Sequence, residues 1–395
     1  MARGDGIASG VEGGRVGAPT QQYDPAGSEA ASTAEPVRPT FGRGCITELM
    51  PALLGIDDGP LPARFGDGPR VLVVLDGLGW DQLQANRDLL PTLAALQGGP
   101  ITTVAPSTTA AALTSIATSL PPGEHGIIGY RMAVDGEVFN SLRWGTPNRP
   151  DARSTIPPRS LQPYEPFLGH QPVLVTKAEF RRSGFTDAHL RGGRLVGYRT
   201  PGVMVHEIGR VVREGEQSVY AYYDGVDKVA HEYGLGSVYR SELVFVDRLV
   251  AAIIDAVPSG TTVMVTADHG QVDCGTDLTP LHPEVERLTA LLSGEARFRW
   301  LHASDGAATD LLSAAREYHS HHAWVRSVEE LIDEQWFSVR GLPDEVRRRL
   351  GDVALLPIEP IGFADPDDTG PFELIGRHGS ATSAEMLVPC VAATA

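Results

Sequence analysis

The chain has 395 residues, 42% of them hydrophobic and 21% charged, the composition of a folded globular protein rather than a disordered or membrane-embedded one. With 33 Lys plus Arg against 50 Asp plus Glu, the net charge of -17 repels polyanions. Long nucleic acid is thereby excluded as a stable partner, and a small anionic substrate needs metal ions to receive it. Cys45, Cys274 and Cys390 stand too far apart for a disulfide framework or a Cys-rich metal site and suit a reducing compartment.

Residues 1–40 carry many Gly and Pro and no hydrophobic periodicity, which predicts a disordered tail before a catalytic domain over 41–395. Arg3 is followed by no apolar run of the kind a signal peptide has, and no stretch approaches the roughly 18 apolar residues of a spanning helix. The expectation is a cytoplasmic protein without a membrane partner. Val71–Leu75 is a continuous apolar run ending in Asp76-Gly77, the pattern of a parallel strand buried on both faces. Its carboxyl end is where open α/β sheets place ligands. Ala110–Leu120 is rich in Ala and stops at Pro121-Pro122, so a helix is predicted there. Val219–Tyr223 ends in Asp224 and Val263–Ala267 ends in Asp268-His269-Gly270, repeating the first strand's pattern. Between these two runs, Ser237 is a suitable N-cap for a helix reaching about Val257. The alternation predicts an α/β fold, a mostly parallel central sheet with helices on both faces. Residues 281–350 read as more helical and charged, and a small cap or insertion is expected there.

Any single Asp-His pair in this chain has an ordinary structural explanation, but the pairs come in company. Asp227 and His231 stand four apart, which a helical turn places on one face. With Asp76, Asp268, His269 and a late His378 they form a six-ligand inventory whose mix of carboxylate and imidazole suits zinc, with manganese or iron as alternatives. Ser107, Thr108 and Thr109 lie at the start of the Ala-rich helix. One of them is expected to cap it, yet a helix N-terminus also favours a phosphate, and a hydroxyl beside a metal is a sensible nucleophile.

The order Asp76-Gly77, Pro106-Ser107-Thr108-Thr109, Leu120-Pro121-Pro122-Gly123-Glu124-His125-Gly126, Asp227 to His231, Asp268-His269-Gly270 and His378-Gly379 resembles the metal-ligand series of the nucleotide pyrophosphatase/phosphodiesterases, in the alkaline phosphatase superfamily. The resemblance implies an alkaline phosphatase-like fold and one zinc on Asp227, His231 and His378. It implies a second on Asp76, Asp268 and His269 with the Thr109 oxygen between them. Thr109 is implied as the nucleophile over Thr108 by a register of one residue, and Asp227 is preferred over its rival Asp224 by the spacing to His231. Asparagine is expected three residues after the nucleophile to hold a phosphate oxygen, and Ala112 stands there instead. That leaves the oxygen to backbone N-H groups and the metals, or points to a substrate other than a nucleotide.

The implied function is a two-metal phosphoesterase hydrolysing phosphodiester or pyrophosphate bonds of small nucleotide-type substrates through a phosphothreonine. A phosphomonoesterase or phosphonate hydrolase of the same superfamily is the alternative, and a catalytically silent metal-binding interaction protein is the rival from another class. No cysteine sits in a sulfatase-type Cys-x-Pro-x-Arg segment, and the chain is short for a cofactor-independent phosphoglycerate mutase with its large inserted domain. No arginine is evident next to Thr109 in the sequence. The dense patch His319, His321 and His322 is expected on an exposed cap helix, His125 in a packing role and His282 in a loop.

Overall fold

The computed structural model describes residues 35–61, 66–368 and 373–395. The expected tail therefore lies outside the described residues except for 35–40, where Val37 N-H donates to the Ala381 carbonyl and Thr40 N-H to Thr102 Oγ1.

A seven-stranded sheet forms the centre, in the order 97–102, 387–394, 262–266, 70–75, 218–223, 173–177, 194–198. Leu387–Thr394 runs antiparallel to both its neighbours, and the remaining pairings are parallel. Arg70–Leu75, Ser218–Tyr223 and Thr262–Thr266 are the adjacent central strands, and the first and third are buried along their whole length. Leu75 is opposite Tyr223 and Val74 opposite Thr266, so the acids beyond these strands emerge along one edge. Three apolar runs predicted independently from the sequence are therefore one contiguous structural unit.

The Ala-rich helix spans Thr109–Thr118 and stops where Ser119 turns left-handed. Its N-cap residue, Thr108, makes no side-chain capping hydrogen bond, so the expected hydroxyl cap is not formed. The long helix spans Ser237–Ala256, with Gly236 rather than Ser237 in the cap position.

Residues 281–350, expected to be a more helical cap or insertion, instead supply three strands of a four-stranded antiparallel sheet, here called the cap sheet, in the order 289–295, 298–303, 353–357, 323–327, with the Ala308–His319 helix beside it. Its strand content was hidden by buried charge. Arg297 and Arg299 flank Phe298 and read as surface residues, yet both are fully enclosed. Arg297 Nε and Nη2 donate to the Glu385 carboxylate at 2.6 and 2.7 Å, and Arg299 donates to Asp365 at 3.1 Å. Their partners lie far along the chain, which no local pattern reveals. His319 corrects the expectation of an exposed histidine patch, since it is buried beside Phe363 and its Nε2 accepts from His282 N-H at 3.2 Å. His282 itself caps the Pro283–Leu288 helix and stacks on Tyr318.

Removing one partner of a buried pair strands the other charge in a low dielectric, a loss of about 3–5 kcal/mol. Arg297→Ala is expected to cost that much in urea denaturation. Arg153→Ala, breaking the exposed pair with Asp151, should cost far less, because solvent screens that pair. Equal losses for the two variants would contradict this account of what holds the cap sheet.

Candidate metal centre and nucleophile

Glycines let the acid-bearing loops approach one another. Gly77 has φ +78°, and a Cβ there would come within 3.0 Å of Asp227 Cα. A Cβ on Gly270 would stand 1.9 Å from the Ala384 carbonyl oxygen. Backbone hydrogen bonds then fix the register: Asp76 N-H donates to Tyr223 O at 2.9 Å and Asp227 N-H to Asp76 O at 3.0 Å.

Asp268 and Asp76 each have one oxygen held and the other left bare. Asp268 Oδ1 accepts from Gly77 and His269 N-H, both at 3.1 Å, while its buried Oδ2 has no hydrogen-bond partner among the described residues. Tyr222 O-H donates to Asp76 Oδ2, and Asp76 Oδ1 is likewise bare. Gln271 Nε2 donates to Asp227 Oδ1 at 2.6 Å.

The histidines share one arrangement. Nδ1 of His231, His269 and His378 lies 2.7, 3.0 and 2.9 Å from the carbonyl oxygens of Gly376, Gly270 and Ser107. A carbonyl only accepts, so each Nδ1 carries a proton, and in the neutral imidazole Nε2 is then the nitrogen with a lone pair for a metal. His269 Nε2 is 3.4 Å from both Asp76 Oδ1 and Asp268 Oδ2. His231 Nε2 is 3.1 Å and His378 Nε2 3.8 Å from Asp227 Oδ1. Backbone carbonyls that fix the tautomer are the usual outer support of metal-bound imidazoles.

Two groupings of ligand atoms result, Asp227/His231/His378 and Asp76/Asp227/His269, with Asp227 common to both and Asp268 adjoining the second. All six residues expected from the sequence are thus brought together. Asp224 is not in either grouping; its carboxylate is 2.7 Å from Nζ of both Lys177 and Lys228.

Electrostatics gives the same picture. Burial, reinforced by Asp268 and Asp227, pushes the Asp76 carboxyl well above its ordinary range, and burial with Asp227 raises Asp268. Burial also opposes ionisation of Asp227, but His231, His378 and His269 hold it low. The His378 imidazole is depressed by burial and by His269 stacked at 3.5 Å. Bare carboxylate oxygens converging with three imidazole Nε2 atoms are a donor set that fits divalent cations.

The three hydroxyls separate cleanly. Ser107 Oγ donates to Ser380 O at 2.8 Å and accepts from Gly379 N-H at 3.2 Å, inside the protein. Thr108 is buried beside Glu295. Thr109 Oγ1 is 3.0 Å from His269 Nε2 and faces the ligand cluster. Thr109 also lines two cavities, one of about 240 Å³ walled by Leu113, Phe180, Phe185 and Tyr220, the other of about 760 Å³ reaching His378, Arg143 and Arg377. Arg143 and Arg377 thus share a cavity with Thr109, which their positions in the sequence did not show. Leu113, not Ala112, faces the smaller cavity, and Ala112 is fully buried, so that position is not where a substrate oxygen would be held. His125 is enclosed, with Nε2 2.9 Å from Ser115 Oγ and Nδ1 accepting from Ile127 N-H, as its packing role requires.

A carboxylate-rich hydroxyl site on the carboxyl edge of an alkaline phosphatase-like sheet is that of a metal-dependent hydrolase of phosphoric esters. The chain belongs to the type I phosphodiesterase/nucleotide pyrophosphatase family, whose model matches residues 70–189 and 204–381. Among solved structures, murine ectonucleotide pyrophosphatase/phosphodiesterase 5 is similar with TM-score 0.60 and 16% identity, over 82% of this chain and 87% of that one. A second structure of the murine protein, an inactive variant in complex with AMP, gives TM-score 0.60 at 15% identity, with the same coverage of both chains. Phosphonoacetate hydrolase from Sinorhizobium meliloti 1021, in complex with phosphonoacetate, gives 0.61 and 19%, over 83% and 90%. A comparison with curated protein sequences finds no significant match. No helix among the described residues is long and apolar enough to cross a membrane.

Glu295, on the cap sheet, lines the larger cavity, and no motif in the sequence marked it. Burial pushes its carboxyl up to about 8 against an ordinary 4.5. The folded metal-free protein therefore retains a proton that the unfolded chain releases, so stability falls as pH rises from about 4.5 toward about 8. Glu295→Gln should remove its share of that slope and leave the part that comes from Asp76 and Asp268. Denaturant midpoints of metal-free wild type and variant at about pH 5 and about pH 9 test it. Parallel pH dependence in the two proteins sinks the assignment.

Proposed function

We propose that the protein is a two-metal phosphodiesterase or pyrophosphatase of small, nucleotide-type substrates, working through a phosphothreonine on Thr109. The observation that carries this reading is Thr109 Oγ1 facing His269 Nε2 at 3.0 Å, beside Asp76 Oδ1 and Asp268 Oδ2, which have no hydrogen-bond partner among the described residues.

Asp227, His231 and His378 would hold one cation, and Asp76, Asp268 and His269 the other, zinc by ligand type with manganese as the alternative. Bound there, the cations would supply positive charge to the attacking and leaving oxygens of an in-line displacement. Thr109 Oγ1 forms a bond to phosphorus as the bond to the leaving alcohol or phosphate breaks. Water then attacks the same phosphorus, the bond to Thr109 breaks and the hydroxyl is restored. Gly77, Tyr222 and Gln271 keep the carboxylates aimed through their hydrogen bonds, so little reorganisation is needed during turnover. The smaller cavity accepts an apolar or aromatic ester group. A diester fills it while presenting less charge than a monoester, which supports a preference for diesters.

Chelation should abolish hydrolysis of an aryl phosphodiester, zinc or manganese should restore it, and metal analysis should find about two ions per chain. Full activity in metal-free protein rules the reading out. A clear kcat/KM preference for monoesters moves the assignment to the phosphomonoesterase alternative.

Thr109→Ala should lose turnover while metal content persists, because the six carboxylate and imidazole ligands remain. Ser107→Ala should act mainly on stability through its lost hydrogen bonds, by about 1–3 kcal/mol. Acid-quenched enzyme mapped by mass spectrometry should carry phosphate on Thr109. Phosphate on Thr108 would move the nucleophile by one residue and leave the metal reading standing.

A further inference from the structure

Five arginines are buried among the described residues, and each has a partner. Arg70 has the Asp58 carboxylate at 3.1 Å, Arg131 and Arg299 share Asp365, Arg297 has Glu385, and Arg349 donates to the Gly126 carbonyl at 2.5 Å. Arg377 is half-buried and breaks this pattern. Its Nε is enclosed without a hydrogen-bond partner, and its guanidinium forms no ion pair among the described residues. Asp368, which lines the larger cavity with it, is already engaged. Tyr130 donates to Asp368 Oδ1 at 2.5 Å, and Arg131 and Arg299 lie 3.3 and 3.7 Å from its Oδ2.

Burial works against the charge of Arg377, and a guanidinium without a counter-charge is costly to enclose. A local conflict of this kind is retained where function requires it. Its place in the fold shows what partner it awaits. Gly376–Arg377 pairs with Val272–Asp273, and this short ribbon carries Arg377, the residue before His378, to the wall of the larger cavity. Thr109, Asp227, His231 and His378 line the same cavity, and the Arg377 charge is near enough to disfavour protonation of His231. The guanidinium therefore stands on the His231/His378 side of Thr109, apart from the small cavity that takes the retained ester group. Arg143 shares the larger cavity, but its side chain is exposed and its charge is met by water.

We propose that Arg377 is a catalytic residue that donates hydrogen bonds to the leaving oxygen in the larger cavity and takes up the negative charge that develops there. The proposal rests on the hydrolase reading above. As Thr109 Oγ1 bonds to phosphorus and gives its proton to solvent, the bond from phosphorus to the leaving oxygen breaks and its electron pair stays on that oxygen. N-H groups of Arg377 donate to this oxyanion until water returns a proton to it. A guanidinium suits the task, because its charge does not depend on pH and its fork of donors is in place before the oxyanion forms. Substrates with poorly acidic leaving groups, alkyl or electron-rich aryl alcohols, gain most from it, since more charge stays on their leaving oxygen.

The test compares aryl phosphodiesters that share a benzyl ester and differ in the leaving phenol, from para-nitrophenol to para-methoxyphenol. In metal-replete Arg377→Gln, kcat/KM should fall by about tenfold for the nitrophenyl ester and about 100-fold for the methoxyphenyl ester, the larger loss being that expected when a donor to a developing oxyanion is removed. Arg377→Lys should keep part of the gain. Guanidinium ions at millimolar concentration should restore part of the activity of Arg377→Gly, where sodium at equal ionic strength does not. An equal loss along the series, or a loss that follows a fall in bound metal, makes Arg377 a support of His378 and overturns the proposal. Hydrolysis of no ester by wild type sinks the hydrolase reading instead. Inorganic phosphate then still decides whether Arg377 receives an anion, since equal calorimetric affinity in wild type and Arg377→Gln overturns it without any turnover.

Discussion

Crowding of carboxylates at one sheet edge is the constraint on which the rest of the site depends. Asp76, Asp224, Asp227 and Asp268 all emerge where adjacent parallel strands end, and four like charges at such range cannot remain uncompensated. The fold solves the problem twice with different chemistry. Lysine ammonium groups answer Asp224, while Asp76, Asp227 and Asp268 have imidazole lone pairs and bare oxygens around them. The first arrangement is complete within the chain. The second leaves carboxylate oxygens without a partner among the described residues, which suits the cations proposed for it and calls for a rigid frame.

Glu385 supplies much of that frame. Its carboxylate takes two bonds from Arg297 on the cap sheet and one from Ser380 N-H, and its carbonyl accepts from Gly270 N-H at 2.9 Å. One buried residue thus joins the cap to the loop after His269 and to the loop after His378. A buried ion pair adds little net stability by itself, since desolvation offsets the attraction. Its value here is positional, because ligands drawn from loops spread along the chain from Asp76 to His378 must meet within a few tenths of an ångström.

Much of this was legible because strands buried on both faces leave continuous apolar runs, and the residues just past the end of each run are chosen by chemistry rather than packing. Asp76, Asp268 and His269 were found in that way, and the helical spacing of Asp227 and His231 was correct because both stand on one turn. Strands 173–177 and 194–198 were missed because their apolar runs are short, Val173–Val175 before Thr176 and Leu195–Val196 before Gly197. Arg297, Arg299 and Glu295 were illegible for a different reason. Sequence patterns equate charge with surface, and a charge paired across more than 60 residues breaks that equation without leaving a local trace.

Placement of Thr109 between two cavities connects this frame to substrate choice. Displacement at phosphorus needs the attacking and leaving atoms on opposite sides, with the remaining ester group at an angle to both. A hydroxyl at the head of a buried helix has little freedom to search for that geometry, so the cavity walls must do the orienting. The smaller cavity is walled by Leu113, Phe180, Phe185 and Tyr220, whereas the larger one has Arg143, Arg377 and His378. An organic ester group is drawn to the first by burial of apolar area, and a charged leaving group to the second by the arginines. Under the proposed reading, orientation at Thr109 therefore comes from the contrast between the two walls, and a substrate lacking either group loses alignment as well as affinity.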